Sequence, residues 1–263
     1  MITINTLNKF KEQGEKIAVL TSYDASFAKI SEKAGIEVIL VGDSLGMVVQ
    51  GQSSTIPVSM EHMVYHTACV TRGTNRAFVI ADMPFMSHAT DEQALLNAAM
   101  LMQEGGAQMI KLEGGASVVE LVKKMTSQAI PVCGHVGLLP QSVHQLGGYH
   151  VQGKNKHDAE KIFYDAEALE EAGAQMLVLE CVPVELAREI SKNLRIPVIG
   201  IGAGADVDGQ VLVLYDMLGM NSDGLQPRFV KDFLASSGSV AGAITAYVEA
   251  VKNGSYPAAE HTY

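Results

Sequence analysis

The sequence predicts a single α/β domain over residues 1–263, a (β/α)8 TIM barrel preceded by a short helix. Three observations carry this reading. Eight short apolar runs alternate with helical stretches along the whole chain. The runs are nearly continuous in Val, Ile and Leu, as parallel strands buried on both faces require. The segment EGGAQMIKLE (104–113) recurs as EAGAQMLVLE (171–180), identical at seven of ten positions and displaced by 67 residues. The repeated segments are the fourth and sixth runs, so two strand–helix units fill that displacement and eight of them fill 263 residues. A doubly wound open sheet also alternates strand and helix, and sequence does not show closure.

Taken in order, residues 3–13 read as a short amphipathic helix. The first strand lies within IAVLTSYD (17–24), whose Asp24 is placed to cap the next helix, and Gly35 to stop it. EVILVGDS (37–44) supplies the second strand, and Ser59 caps the helix leading to the third, AFVIADMP (77–84). Thr90 and Gln93 form the pattern of a capping box, and Gly106 ends that helix before QMIKLEGG (108–115). Ser117 and Glu120 repeat the capping pattern ahead of PVCGHVGL (131–138). The next segment, 139–158, is too long for an ordinary strand-to-helix loop and is read as an active-site lid. Gly173 precedes QMLVLEC (175–181), and Pro183 stands where a first helical turn tolerates it. PVIGIGAG (197–204) and QVLVLYDML (210–218) complete the strands, and residues 228–252 supply the last helical segments.

Composition narrows the function. Lys and Arg number 19 against 29 Asp and Glu, a net charge of −10, which argues against nucleic acid or an anionic membrane as partner. Mean hydropathy is +0.16, yet Gly, Pro or a charge breaks every apolar run too early to span a bilayer. Cys69, Cys133 and Cys181 form no CxxC pair, and an odd number is no disulfide framework. The opening MITINTLNKFKEQ lacks the pattern of a signal peptide, so a reducing cytoplasm is expected and the Asn253-Gly254-Ser255 sequon is read as coincidence.

Barrel active sites are built at the carboxyl ends of the strands. Acids dominate there: Asp43, Asp82, Glu113 and Glu180 close the second, third, fourth and sixth strands. Lys111, two residues before Glu113, shares its face of the fourth strand, and the fifth contributes His135. Carboxylates converging on one mouth repel unless a positive charge sits among them, and a hard cation such as Mg2+ suits all-oxygen ligands. Any one acid could equally cap the next helix; four of them beside a lysine are harder to explain that way.

Other signals are weaker. His62 and His66 are spaced along a helix face but lack the HExxH pattern of a zinc site, and GYHVQGKN (148–155) has Asn155 where a P-loop needs Ser or Thr. GIGAG (200–204) reads as a tight turn because no basic residue is near it. Cys133 and Cys181 read as buried small apolar residues, and the 13 methionines as core filler.

Together VGDSLGM (41–47), ADMPF (81–85), KLEGG (111–115), CGHVGLLPQS (133–142), GGYHVQG (147–153), LVLECVP (177–183), IPVIGIGAG (196–204) and DGQVLVLYDMLG (208–219) resemble the ketopantoate hydroxymethyltransferase family. The match runs in order from Tyr23-Asp24 to the closing YPAAEH; one departure is Tyr215, where the family pattern has His before Asp216. The resemblance implies a Mg2+-dependent homo-oligomer, a decamer of two pentameric rings. Its substrates would be a 2-oxo acid, 3-methyl-2-oxobutanoate, and a folate, 5,10-methylenetetrahydrofolate, from which a hydroxymethyl group is transferred. By motif, Asp43 and Asp82 would hold the metal with Glu113 close by, and both would thereby also face the oxo acid, which Ser44 and Lys111 would bind. Glu180 would accept the substrate proton, with His135 as the rival base or as a group that orients the substrate. Two alternatives stay open: another Mg2+ oxo-acid barrel of the isocitrate lyase or phosphoenolpyruvate mutase type, and a non-catalytic barrel used as a scaffold. The lyases typically use a cysteine on a flexible loop, and MSHATDEQ (86–93) has none.

Overall fold

A computed structural model describes residues 1–220 and 226–263. It is a closed barrel of eight parallel strands in sequential order, β1 to β8, with β8 pairing back to β1. The strands are β1 (Ile17–Thr21), β2 (Val38–Val41), β3 (Phe78–Asp82), β4 (Met109–Glu113), β5 (Val132–Gly137), β6 (Met176–Glu180), β7 (Val198–Ile201) and β8 (Gly209–Leu212). Around them lie α1 (Ile4–Gln13), α2 (Ala25–Ala34), α3 (Leu45–Val48), α4 (Met60–Arg72), α5 (Asp91–Gln103) and α6 (Val119–Ser127). They continue as α7 (Val143–Leu146), α8 (Lys156–Glu171), α9 (Val184–Asn193), α10 (Leu214–Met217), α11 (Leu234–Ser237) and α12 (Val240–Lys252). Closure excludes the open sheet. Among the described residues no helix is long and apolar enough to cross a membrane.

Strand residues are buried throughout, except Gly137 and Glu180, which face each other across β5 and β6 at their carboxyl ends. Continuous apolar runs therefore do mark the strands, but the runs extend past them. In QVLVLYDML only the start is strand; residues 214–217 turn into α10. The strand–helix alternation also lapses between β7 and β8, where residues 202–208 form a loop with no helix. Gly202 and Gly204 take positive φ there, in keeping with a tight turn at GIGAG.

Local signals succeed where a side chain can reach a free backbone N–H. Asp24 accepts from Ser26 and Phe27, Ser59 exchanges bonds with His62, and Thr90 accepts from Gln93. Ser117 is different: it lies inside a single 3₁₀ turn (Ala116–Val118), α6 starts behind it, and Val118 occupies the cap with no side-chain bond. Here Asp165 of α8 reaches across and accepts from Ala116 N–H at 2.8 Å, so a tertiary partner replaces the local cap. Pro183 sits at the cap of α9, one residue before its first turn. The segment read as a lid ends earlier than expected, because Asn155 caps α8 at Lys156.

The β1–β8 seam closes the barrel. Tyr247 of α12, fully buried, donates its one hydroxyl proton toward Val19 O and Gln210 O, 2.8 and 2.9 Å away on the two strands. Gly209 pairs with both Ile17 and Ile199, and a Cβ there would lie 2.4 Å from Ile17 O. Backbone cannot yield as a flexible side chain does. Gly209→Ala is therefore expected to cost about 1–3 kcal/mol, read as a lower urea midpoint at unchanged slope; a wild-type midpoint would show that the seam tolerates the methyl group.

Candidate active site

The carboxyl ends of β2 to β6 bring together all the acids named from sequence. Asp82 and Glu113 end their strands, Lys111 lies within β4 and His135 within β5, while Asp43 stands two residues beyond β2. Strand register sets the neighbours: Asp82 pairs with Lys111, Glu113 with His135, and Gly137 with Glu180. Asp43, Asp82, Lys111, Glu113 and His135 are buried, and the Glu180 side chain, at 14% exposure, is the most open of the set.

Lys111 is the hub. Its Nζ lies 3.0 Å from Asp82 Oδ1 and 3.3 Å from His135 Nδ1. An ammonium only donates, so Nδ1 accepts and the neutral ring carries its proton on Nε2. Nε2 faces Glu180 Oε2 at 3.2 Å, and Nδ1 is 3.7 Å from Glu113 Oε1. On the other side, Asp43 N–H donates to Asp82 Oδ2 at 3.1 Å. The polar line thus runs from Asp43 through Asp82, Lys111 and His135 to Glu180.

Burial shapes the protonation of this line. It pushes Asp43 up to about 7, with Asp82 adding and Lys111 opposing. Glu113 is raised well above the usual carboxylate range by burial, and Glu180 rises to about 7 for the same reason, with Lys111 opposing. His135 is driven well below its ordinary value by burial and then by Lys111, so it is neutral at physiological pH. Burial alone would lower Lys111, but Asp82, Glu113 and Asp43 outweigh it and keep the ammonium charged.

Two residues given no role from sequence complete the site. Gln141, at the start of the lid segment, donates its side-chain amide to Asp43 Oδ2 at 2.8 Å and Met83 O at 2.9 Å. Its backbone N–H donates to Glu113 Oε2 at 3.0 Å. Its sequence signals are its place in the long segment after β5 and in the CGHVGLLPQS motif, neither of which gives it a role. Tyr23 lies 2.9 Å by hydroxyl from Ser44 Oγ, and Tyr215 stacks on its ring at 5.9 Å. The departure at Tyr215 therefore stands two contacts from Ser44. The rejected signals have structural roles: His62 caps α4, His66 Nδ1 bonds Tyr23 O, and the Cys133 thiol is pushed up to about 12 by burial.

The donor set fits a hard divalent cation. Four carboxylates share the mouth with one ammonium, and Asp82 Oδ1 is buried with no aligned hydrogen bond, its lysine contact being ionic. Among the described residues no three His, Cys, Asp or Glu side chains are arranged to hold a metal by themselves. The fit is to an ion on Asp43 and Asp82 with other oxygens completing the shell, the usual manner of Mg2+.

The chain is similar to known proteins along almost its whole length. A family model described as ketopantoate hydroxymethyltransferase matches residues 1–259. A Shewanella loihica protein named 3-methyl-2-oxobutanoate hydroxymethyltransferase is 58% identical over 262 residues, covering 100% of this chain and 98% of its own. One of the same name from Idiomarina loihiensis is 59% identical over 261 residues, covering 99% and 97%. Among solved structures, phosphonopyruvate hydrolase in complex with oxalate and Mg2+ superposes with a TM-score of 0.61 at 14% identity, covering 81% of each chain. Phosphoenolpyruvate phosphomutase from Streptomyces platensis gives 0.62 at 12% identity, covering 83% of each. At such low identity these two establish the barrel alone. The family match and the full-length relatives go further, and by them the chain belongs to the ketopantoate hydroxymethyltransferase family.

Proposed function

We propose that this chain transfers a hydroxymethyl group from 5,10-methylenetetrahydrofolate to 3-methyl-2-oxobutanoate, giving 2-dehydropantoate, with Mg2+ as its cation. One observation carries the reading: a carboxylate poised near neutrality, Glu180, stands across the barrel from the acid pair Asp43 and Asp82. The names of the relatives support the same reaction.

Asp43 and Asp82 would hold the cation, which when bound would supply positive charge to the oxo acid and make its C3 proton more acidic. Lys111 offers a second positive charge to the substrate carboxylate, and the Ser44 hydroxyl, oriented by Tyr23, offers a hydrogen bond. Glu180 takes the C3 proton; a carboxylate with its pKa raised toward 7 is a stronger base than an ordinary one. His135, neutral and tied to Lys111, holds its Nε2 3.2 Å from Glu180 Oε2 without an aligned hydrogen bond, beside the base. C3 then bonds to the methylene carbon of the donor as one of that carbon's two bonds to folate nitrogen breaks; water displaces the second nitrogen and supplies the hydroxyl oxygen, and the C3 proton and one water proton end on the two nitrogens of tetrahydrofolate.

Glu180→Gln preserves shape and should still bind the oxo acid, yet lose about 10²–10⁴-fold in exchange of its C3 proton with deuterated solvent, followed by NMR. Exchange that survives this change but vanishes in His135→Asn would move the role to His135. The sign with pH follows from the same group: the base works ionised, so exchange in the wild type should rise with pH to about 7 and then level off. A rate flat between pH 5 and 7 would remove Glu180 from the step.

Asp82→Asn keeps the acceptor for Asp43 N–H and deletes the charge. In the wild type, Mg2+ at about 100 times its Kd should stabilise the fold by about 2.7 kcal/mol. Calorimetry should show that gain lost in the variant; an equal gain would place the ion elsewhere.

A further inference from the structure

We propose that the recess between the β3–α5 connection and the start of the lid segment seats the second substrate, specifically the flat nitrogen heterocycle of the one-carbon donor. The proposal rests on the reaction assigned above and names a place for the partner that the acid cluster leaves unassigned. The recess has a volume of about 150 Å3 and is lined by Phe85, Met86, His88, Glu113, Gln141 and Ser142. Two of these belong to the acid cluster as well. Gln141 bonds Asp43, and Glu113 ends β4 two residues after Lys111. A ring seated here therefore shares Gln141 and Glu113 with the acid cluster, which puts its edge on the side of the oxo-acid pocket.

The wall formed by residues 85–88 has features that folding does not call for. Phe85 and Met86 are consecutive apolar side chains left 42% and 57% exposed beside a cluster of acids. Met86 adopts φ 63°, a left-handed conformation that a long side chain rarely takes. It is held there from both sides: Ser87 N–H donates to Pro84 O at 3.0 Å, and Asn97 of α5 donates to Ser87 O at 2.6 Å. Strain maintained by bonds, and spent on presenting a thioether and a phenyl ring to solvent, marks a binding surface. His88 adds a polar group: its Nδ1 is buried with no hydrogen-bond partner.

The chemistry of the lining selects the ligand class. A reduced pteridine is a plate with apolar faces and an edge of amide and amino donors and ring acceptors. Phe85 and Met86 offer stacking and sulfur–aromatic contacts to the faces. The imidazole of His88, the Gln141 amide and the Ser142 hydroxyl offer both donors and acceptors to the edge. Size limits how much enters. Sites that engulf a drug-sized ligand have about 300–1,000 Å3, so this recess takes the ring and leaves the anionic tail of the donor in solvent, away from the acids.

The test uses the full chain and a half-reaction that needs no donor. The double variant Phe85→Ala with His88→Ala should raise the Kd for tetrahydrofolate, and the KM for 5,10-methylenetetrahydrofolate, about tenfold or more, roughly one stacking contact in magnitude. The KM for the oxo acid and its C3 proton exchange should stay within about twofold. Met86→Gly gives a second arm, because glycine relieves the left-handed backbone. It should keep or raise the melting temperature while weakening tetrahydrofolate binding. Unchanged donor binding in both variants would overturn the seat, and so would a parallel loss of proton exchange, which would make these residues supports of Glu113 and Gln141. A wild-type chain that exchanges the proton but transfers nothing from 5,10-methylenetetrahydrofolate would overturn the reaction itself, and that outcome appears before any variant is made.

Discussion

The ammonium of Lys111 is the interaction on which this site depends. Four carboxylates sit in or at the mouth of a closed barrel, where the low dielectric makes each ionised group costly. One lysine lies in contact with Asp82 and His135 and opposes the upward shift of Asp43, Glu113 and Glu180. Without it the cluster could remain buried only by taking up protons. With it the cluster is still short of positive charge, four carboxylates against one ammonium, a deficit that a divalent cation would offset. Lys111 also fixes the histidine tautomer, so one charge orders a line of groups from Asp82 to Glu180.

The barrel supplies the positions. Parallel strands in a closed ring are staggered, so residues at different depths of neighbouring strands become partners: Asp82 with Lys111, Glu113 with His135, Gly137 with Glu180. Each step climbs toward the mouth. The acid pair therefore ends up deep on one side and Glu180, the most solvent-open of the set, higher on the other. Backbone strain gathers at the same end. Of the three non-glycine residues with positive φ among the described residues, Cys181 directly follows Glu180 and Met86 lies four residues past Asp82. Strain of this kind persists only where surrounding structure over-determines it, which is the situation of loops on a rigid scaffold.

The lid segment shows how the scaffold and its loops are joined. Gln141 donates its backbone N–H to Glu113 and its amide Nε2 to Asp43 and Met83, so the long connection after β5 is tied to the ends of β4, β2 and β3 at once. An uncharged donor suits this task. It satisfies one oxygen of Asp43 and one of Glu113 without adding a further charge to the cluster.

Much of the molecule was legible in the sequence because it depends on short-range physics. Apolar continuity marks strands that water cannot reach, so all eight runs hold strands. Asp24, Ser59 and Thr90 cap helices because a side chain needs only its own neighbours to do so. The acids and Lys111 were visible because strand ends form one rim in any such barrel. What the sequence left undecided depends on partners far along the chain. Residues 214–217 are as apolar as a strand but become α10, because β1 pairs with β8 only as far as Leu212. Ser117 loses its cap to Asp165, a residue 48 positions away. The roles of Gln141 and Tyr23 exist only once Asp43 and Ser44 are brought to them. Likewise the poise of Glu180 near 7 is set by burial, a property of the closed barrel and not of any local string of residues. Sequence by itself determined which chemical groups this protein has and which strands carry them; tertiary structure decided their distances and protonation, because both arise from burial and long-range contact.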